Sequence, residues 1–224
     1  MRSNIVENPE FRNHEGVFAD RRDAGEQLGE LVRPETGPAG LLLAIPAGGV
    51  PVAAAMREHL PWPLEMLVVR KVQIPWNTEA GFGALNLDGD RLFNEPLLQA
   101  LDLSADEVEN QVQMTLATME RRDELFRGGG PFPQIADKDI IIVDDGLASG
   151  YTMLAAIRFV KRRMPATLAV AVPTGLLETC RRIAAAADRL YCLNIRDRTP
   201  FAVASAYRKW HDLNDDEVRE LLGR

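Results

Sequence analysis

Short apolar runs alternating with helix-patterned segments along 224 residues predict an α/β fold built on a doubly wound parallel sheet. Two observations carry the prediction. Leu41 to Ile45 and Ile140 to Val143 are apolar at every position, as in strands buried on both faces. Each run is followed by a glycine-bearing loop and then a helical pattern, which implies right-handed crossovers. Ligands of such sheets bind beyond the carboxyl ends of the strands, so functional residues are expected directly after them. The length asks for one domain over residues 1–224.

In chain order, Asp20 and Asp23 open an amphipathic helix through Leu28, Leu31 and Val32 that Pro34 stops. The strand Leu41 to Ile45 leads through Gly48-Gly49 into a helix from Val50 to Leu60. Glu65 to Arg70 reads as a second strand running into a polar loop, Lys71 to Thr78. Phe82 to Leu87 and Arg91 to Asn94, joined by Asp88-Gly89-Asp90, read as a hairpin because Asp-Gly supplies the positive dihedrals of a tight turn. Ser104 to Glu107 is a capping box for a long helix that Gly128 ends. Alternation then resumes: strand Ile140 to Val143, helix Tyr151 to Arg163, strand Leu168 to Val172, helix Leu177 to Ala187, strand Arg189 to Leu193, and a short terminal helix within 212–224.

Composition excludes some functions. A formal net charge of −7 argues against a nucleic-acid backbone as partner. The apolar stretch Ala39 to Met56 is interrupted by Pro46, Gly48, Gly49 and Pro51, so no membrane span is expected. Residues 1–11 carry no apolar signal core. Cys180 and Cys192 lack metal-ligand spacing and suit a reducing cytoplasm.

The sharpest signal is Ile140 to Thr152: a buried strand ending in the adjacent acids Asp144 and Asp145, then Gly146, Leu147, Ala148, Ser149, Gly150, Tyr151 and Thr152 opening a helix. N–H groups at a helix start, with the positive end of its dipole, favour a phosphate, and Ser149 and Thr152 add hydroxyls. Neighbouring carboxylates repel each other, a poor choice for stability alone. They make sense where sugar hydroxyls donate to them or a magnesium ion sits nearby.

This segment resembles the motif by which type I phosphoribosyltransferases bind 5-phosphoribosyl-1-pyrophosphate (PRPP). Ile45 to Pro51 resembles their pyrophosphate loop, and Val69-Arg70-Lys71 with Glu79 to Ala84 the stretch leading into their flexible loop. The chain is most similar to a bacterial branch with a helical insertion, here about 95–127, and a small C-terminal hood, about 194–224; the acceptor in that branch is generally unassigned. The resemblance implies a Rossmann-like core and transfer of phosphoribosyl from PRPP, with Mg2+, to a small-molecule acceptor, a nucleobase being expected. It assigns ribose and metal to Asp144 and Asp145, the 5-phosphate to Ala148 to Thr152, with Gly146 and Leu147 in the same substrate-binding loop, and the leaving group to Ala47, Gly48, Gly49 and Val50 with the cations Arg70 and Lys71. A homodimer is expected. Ala47 stands where that branch usually has Arg, which keeps open a PRPP-binding sensor without turnover. Ala148 stands where 6-oxopurine enzymes carry Asp, which disfavours hypoxanthine or guanine. Tyr207, Trp210 and Arg196 are candidates for an acceptor hood, although aromatics at such spacing are more often core. Arg121, Arg122 and Arg127 read as a solvated or subunit-facing stripe.

Overall fold

The structure, a computed structural model, describes residues 4–223, the side chains of Thr78 and Glu79 excepted. Its elements are β1 (Ile5–Val6), α1 (Arg21–Val32), β2 (Leu41–Ala44), α2 (Gly49–Met56), β3 (Leu64–Met66), β4 (Val69–Ile74), β5 (Asn77–Asn86), β6 (Arg91–Phe93), α3 (Glu95–Leu101), α4 (Ala105–Arg127), β7 (Asp139–Val143), α5 (Tyr151–Lys161), β8 (Thr167–Leu176), α6 (Leu177–Ala186), β9 (Arg189–Arg196) and α7 (Asp215–Leu222). Six strands pair in the order β1-β9-β8-β7-β2-β3, all parallel. Strands β4-β5-β6 form a separate antiparallel sheet. No described helix is long and apolar enough to cross a membrane.

The all-apolar runs became central strands because helices cover both faces of the sheet. Alternate residues point to opposite faces. Leu43, Ile140 and Ile142 pack with Met153, Ile157 and Ile183 of α5 and α6. Leu42, Ala44, Ile141 and Val143 pack instead with Leu28 of α1 and Val52 and Met56 of α2. A third core, with Val72, Phe82 and Leu85 opposite Val112 and Met119, joins the small sheet to α4.

Local signals placed several boundaries. The Asp20 side chain accepts from the N–H groups of Arg22 and Asp23, and the Ser104–Glu107 capping box is formed on both sides. Gly128 closes α4 at φ 70°.

Three features differ from the sequence expectation. The apolar run from Glu65 to Arg70 is two strands, because Leu67 is buried in the main core while the adjacent Val68 is buried in the core under α4. Periodicity sees one run where the chain changes sheets. Lys71 to Ile74, expected as loop, is strand, with Lys71 opposite Ala84 and Val72 opposite Gly83. Its polar residues alternate with the buried Val72 and Ile74, a half-buried strand pattern. The elements β1 and α3 carry weak signals: β1 is two residues long at a sheet edge, and α3 is seven residues capped by Asn94.

Candidate functional site

From β2 the chain steps outward to β3, whereas β7, β8 and β9 step outward on the other side, so the strand order reverses between β2 and β7. Their register, Leu41 opposite Ile140 and Ala44 opposite Val143, brings the loops after both strands level. The Ile45 N–H donates to Val143 O at 2.9 Å, fastening the two strand ends together. This is the crevice where doubly wound sheets hold ligands. A cavity of about 280 Å³ opens here, and Ala47, Gly48, Arg70, Lys71, Asp144, Asp145 and Thr152 all line it.

The loop after β7 is fixed from behind. Leu147 is buried at 2% exposure, its N–H donating to Thr174 O and its carbonyl accepting from Leu176 N–H, so it is an anchor rather than a ligand contact. Gly146 has no room for a side chain: a Cβ would lie 2.6 Å from Val203 Cγ1. Thr179 Oγ1 donates to Ala148 O at 2.7 Å, and Arg182 donates to Ser149 O. With these carbonyls tied back to α6, the chain enters α5 through Gly150 at φ 77°, a left-handed conformation that favours glycine. The first N–H groups of α5 lack intrahelical acceptors by geometry. The Tyr151 ring lies beside the Arg182 guanidinium, 5.3 Å from its centroid.

The loop after β2 packs against the acids. A Cβ on Gly48 would lie 1.9 Å from Asp145 Oδ2, and one on Gly49 would lie 2.5 Å from Val143 O. Any larger residue would displace the carboxylate or the strand end. The Pro46–Ala47 peptide is cis. The N–H groups of Gly49 and Val50 donate inward, to Ile45 O and Ala47 O, and both residues are buried. Of the four candidates here, Ala47 and Gly48 face the cavity.

Electrostatically the two acids are unlike. Burial and the neighbouring Asp145 hold the Asp144 carboxyl well above its ordinary pKa, while the Asp145 N–H donates to its Oδ1 at 2.9 Å. Among the described residues no Lys, Arg or His ion-pairs with Asp144. Asp145 is raised by burial, against the opposing pull of Arg21, whose Nε donates to Oδ2 at 2.9 Å. Arg21 in turn donates to His211 O at 2.8 Å and lies 3.7 Å from the Trp210 ring centroid. Tyr207 donates its hydroxyl to Asp145 O at 2.6 Å. Tyr207 thus holds the backbone of Asp145, Trp210 lies against the Arg21 that holds its carboxylate, and Arg196 is turned to Glu15 and His14 O.

Across the cavity the character reverses. Burial and the nearby Arg122 and Arg121 lower the pKa of Arg70. Sequence reasoning missed two arginines here. Arg21 sits at the first position of α1 and is 8% exposed; nothing local in the sequence marks it, because its partner Asp145 is 124 positions away. Arg122 lines the cavity from α4, which corrects the solvated-stripe expectation. Of that stripe, Arg121 is exposed, whereas the Arg127 side chain is 5% exposed and bonds Asp123, Gly130 O and Pro131 O.

Whether magnesium fits can be judged from the donors. No cluster of three or more His, Cys, Asp or Glu side chains able to hold a metal exists among the described residues. Two adjacent carboxylates do suit magnesium when a substrate's phosphate and hydroxyl oxygens complete the shell. The buried Asp144, raised in pKa, is where a cation would most favour the ionised form. The residues thus fit an ion carried with substrate.

Residues 35–205 match the family described as "Phosphoribosyl transferase domain". The Mycobacterium tuberculosis (strain H37Rv) protein named "Putative phosphoribosyl transferase Rv0571c" is 36% identical over 211 residues, 93% of this chain and 47% of its own. The chain thus spans about half the length of the curated relatives it matches. Among solved structures, TT1426 from Thermus thermophilus is 30% identical, with a TM-score of 0.72 over 92% of this chain and 97% of that one. The AQ2163 protein from Aquifex aeolicus, 11% identical, has a TM-score of 0.50 over 84% of this chain and 78% of its own, a likeness of fold.

Proposed function

The chain belongs to the phosphoribosyltransferase family, and from that premise we propose that it transfers the 5-phosphoribosyl group of PRPP to a nitrogenous base or similar small nucleophile, releasing pyrophosphate. The observation that carries the reading is one cavity lined by Asp144, Asp145 and Thr152 on one side and by Arg70 and Lys71 on the other. Asp144 and Asp145 accept from the ribose hydroxyls. Ala148 to Thr152, with the first turn of α5, holds the 5-phosphate through N–H and hydroxyl donors. Arg70, Lys71 and the Ala47–Gly48 backbone hold the departing pyrophosphate, with Gly49 and Val50 shaping that loop from within. The unit is taken as a single domain over residues 1–224.

In this mechanism the nucleophile attacks the anomeric carbon as the bond to pyrophosphate oxygen lengthens, through an oxocarbenium-like transition state. The protein contributes position and charge. The fixed pentose presents its anomeric carbon, and the cationic wall stabilises the charge that accumulates on the leaving oxygen. Magnesium, when bound with PRPP, supplies further neutralisation of the pyrophosphate.

A second reading, a PRPP sensor with little turnover, is favoured by the methyl group that Ala47 offers the cavity and by the hold of Arg21 on Asp145. One experiment separates the two. The protein is incubated with PRPP, magnesium and a panel of nucleobases while pyrophosphate release and PRPP binding are followed. Release that depends on a base supports the transferase. Binding without release under every base supports the sensor, and absence of PRPP binding overturns both.

A further inference from the structure

We propose that Arg122, delivered by the helical segment α4, binds the diphosphate end of the substrate, completing a three-cation wall with Arg70 and Lys71. The inference rests on the transferase reading and adds to it a residue outside the motifs that carry that reading.

The placement of Arg122 is unusual for its helix. The face of α4 turned to the core carries Val112, Thr115, Met119 and Phe126, a stripe at helical spacing. Arg122 falls between Met119 and Phe126 on the same stripe, where an apolar residue would pack. Its side chain is 16% exposed, and charged side chains are seldom kept so far from water unless paired. Its carboxylate partner is Asp215 of α7, at 2.7 Å, and Asp215 also serves Arg121 at 3.5 Å. Arg70 lines the same cavity, and among the described residues no carboxylate lies within ion-pair distance of it.

Arg70, Arg121 and Arg122 therefore have one carboxylate between them, at a cost in the empty protein. A ligand with several negative charges relieves that cost. Opposite stand Asp144 and Asp145, which would repel the same ligand unless a sugar lies between. A phosphorylated sugar bearing a diphosphate satisfies both walls. Arg122 gives Nε and Nη2 to Asp215 Oδ1 at 3.2 and 2.7 Å, so it meets a phosphate oxygen through its Nη1 side, a donor held in a fixed plane that a lysine lacks.

The test is calorimetric, on the full chain, with inorganic pyrophosphate and ribose 5-phosphate as separate probes. Arg122→Gln is expected to weaken pyrophosphate binding about tenfold or more, the loss of a charge-assisted hydrogen bond. Ribose 5-phosphate affinity should stay within about twofold of wild type, because Thr152 and α5 hold it elsewhere. Arg122→Lys should fall between wild type and Arg122→Gln, and Arg121→Gln, at the exposed neighbour, should bind both probes as wild type does. Unchanged pyrophosphate affinity in Arg122→Gln overturns the proposal. So does an equal loss of both probes with a lowered melting temperature in Arg122→Gln and Arg122→Lys, which marks Arg122 as structural. Wild-type protein that binds neither probe nor PRPP fails differently, because it removes the transferase reading itself.

Discussion

The two walls of the cavity are made in opposite ways. The wall at β7 and α5 is one run of chain, Asp144 to Thr152, shaped by its own glycines and by the buried Leu147. The facing wall is gathered from distant places: Arg70 and Lys71 from β4, and Arg122 from the C-terminal part of α4. Arg21 reaches Asp145 across 124 positions of sequence. A local wall can be read as a motif, because its spacing is its geometry. A gathered wall exists once α4 has packed on β4 and α7 has closed on α4.

The largest expected effect falls on the local wall. Replacing both Asp144 and Asp145 by Asn should weaken PRPP binding, in calorimetry with magnesium, by on the order of 3–6 kcal/mol, two charge-assisted hydrogen bonds. Unchanged affinity would remove the ribose role. The single Asp144→Asn variant carries a second, opposite expectation. Its folded-state pKa is raised, so the stability linked to its proton is present in acid and lost as pH rises through that raised value. Asn stays neutral. The unliganded variant should therefore melt above wild type at neutral pH, with the gap closing in acid. A gap that is absent or reversed at neutral pH would show that burial does not strain this carboxylate.

Next comes Arg21→Ala, which tests how far the distant residues hold the local wall in place. Asp145 would be left buried without its counter-charge, at a cost of about 3 kcal/mol in urea denaturation at neutral pH. Acid, by protonating Asp145, should recover part of that loss. A loss below about 0.5 kcal/mol would mean the pair contributes no more than an exposed surface bridge.

The smallest effect is expected from Thr152→Val, which removes one hydroxyl from the cradle. Ribose 5-phosphate binding should weaken by about 1–3 kcal/mol, as for a hydrogen bond to a charged group. An unaltered affinity would shift the phosphate toward Ser149 and the α5 N–H groups.

The legibility of the fold follows the same division. β2, β7, α1, α4 and the Asp88–Asp90 turn were readable because each has a local cause: a continuous apolar run, a side-chain cap, a glycine at φ 79° in the turn. The passage from β3 to β4 was not. Leu67 and Val68 are both apolar and both buried, and the sequence does not say that they are buried in different cores. Arg122 looked like one of several arginines on a solvated helix until Asp215, in the last helix of the chain, gave it a partner.

By itself the sequence determined the alternation of strand and helix, the acidic pair at a strand end and the small-residue loop that opens α5. These follow from contacts within a few residues. The tertiary structure decided which strands are neighbours, that the order reverses between β2 and β7, that Arg21 grips Asp145, and that α4 turns Arg122 inward. Those outcomes depend on how apolar faces distant in sequence pack against one another. Burial then raises the pKa of Asp144, and burial together with Arg122 and Arg121 lowers that of Arg70, effects that no run of neighbouring residues encodes.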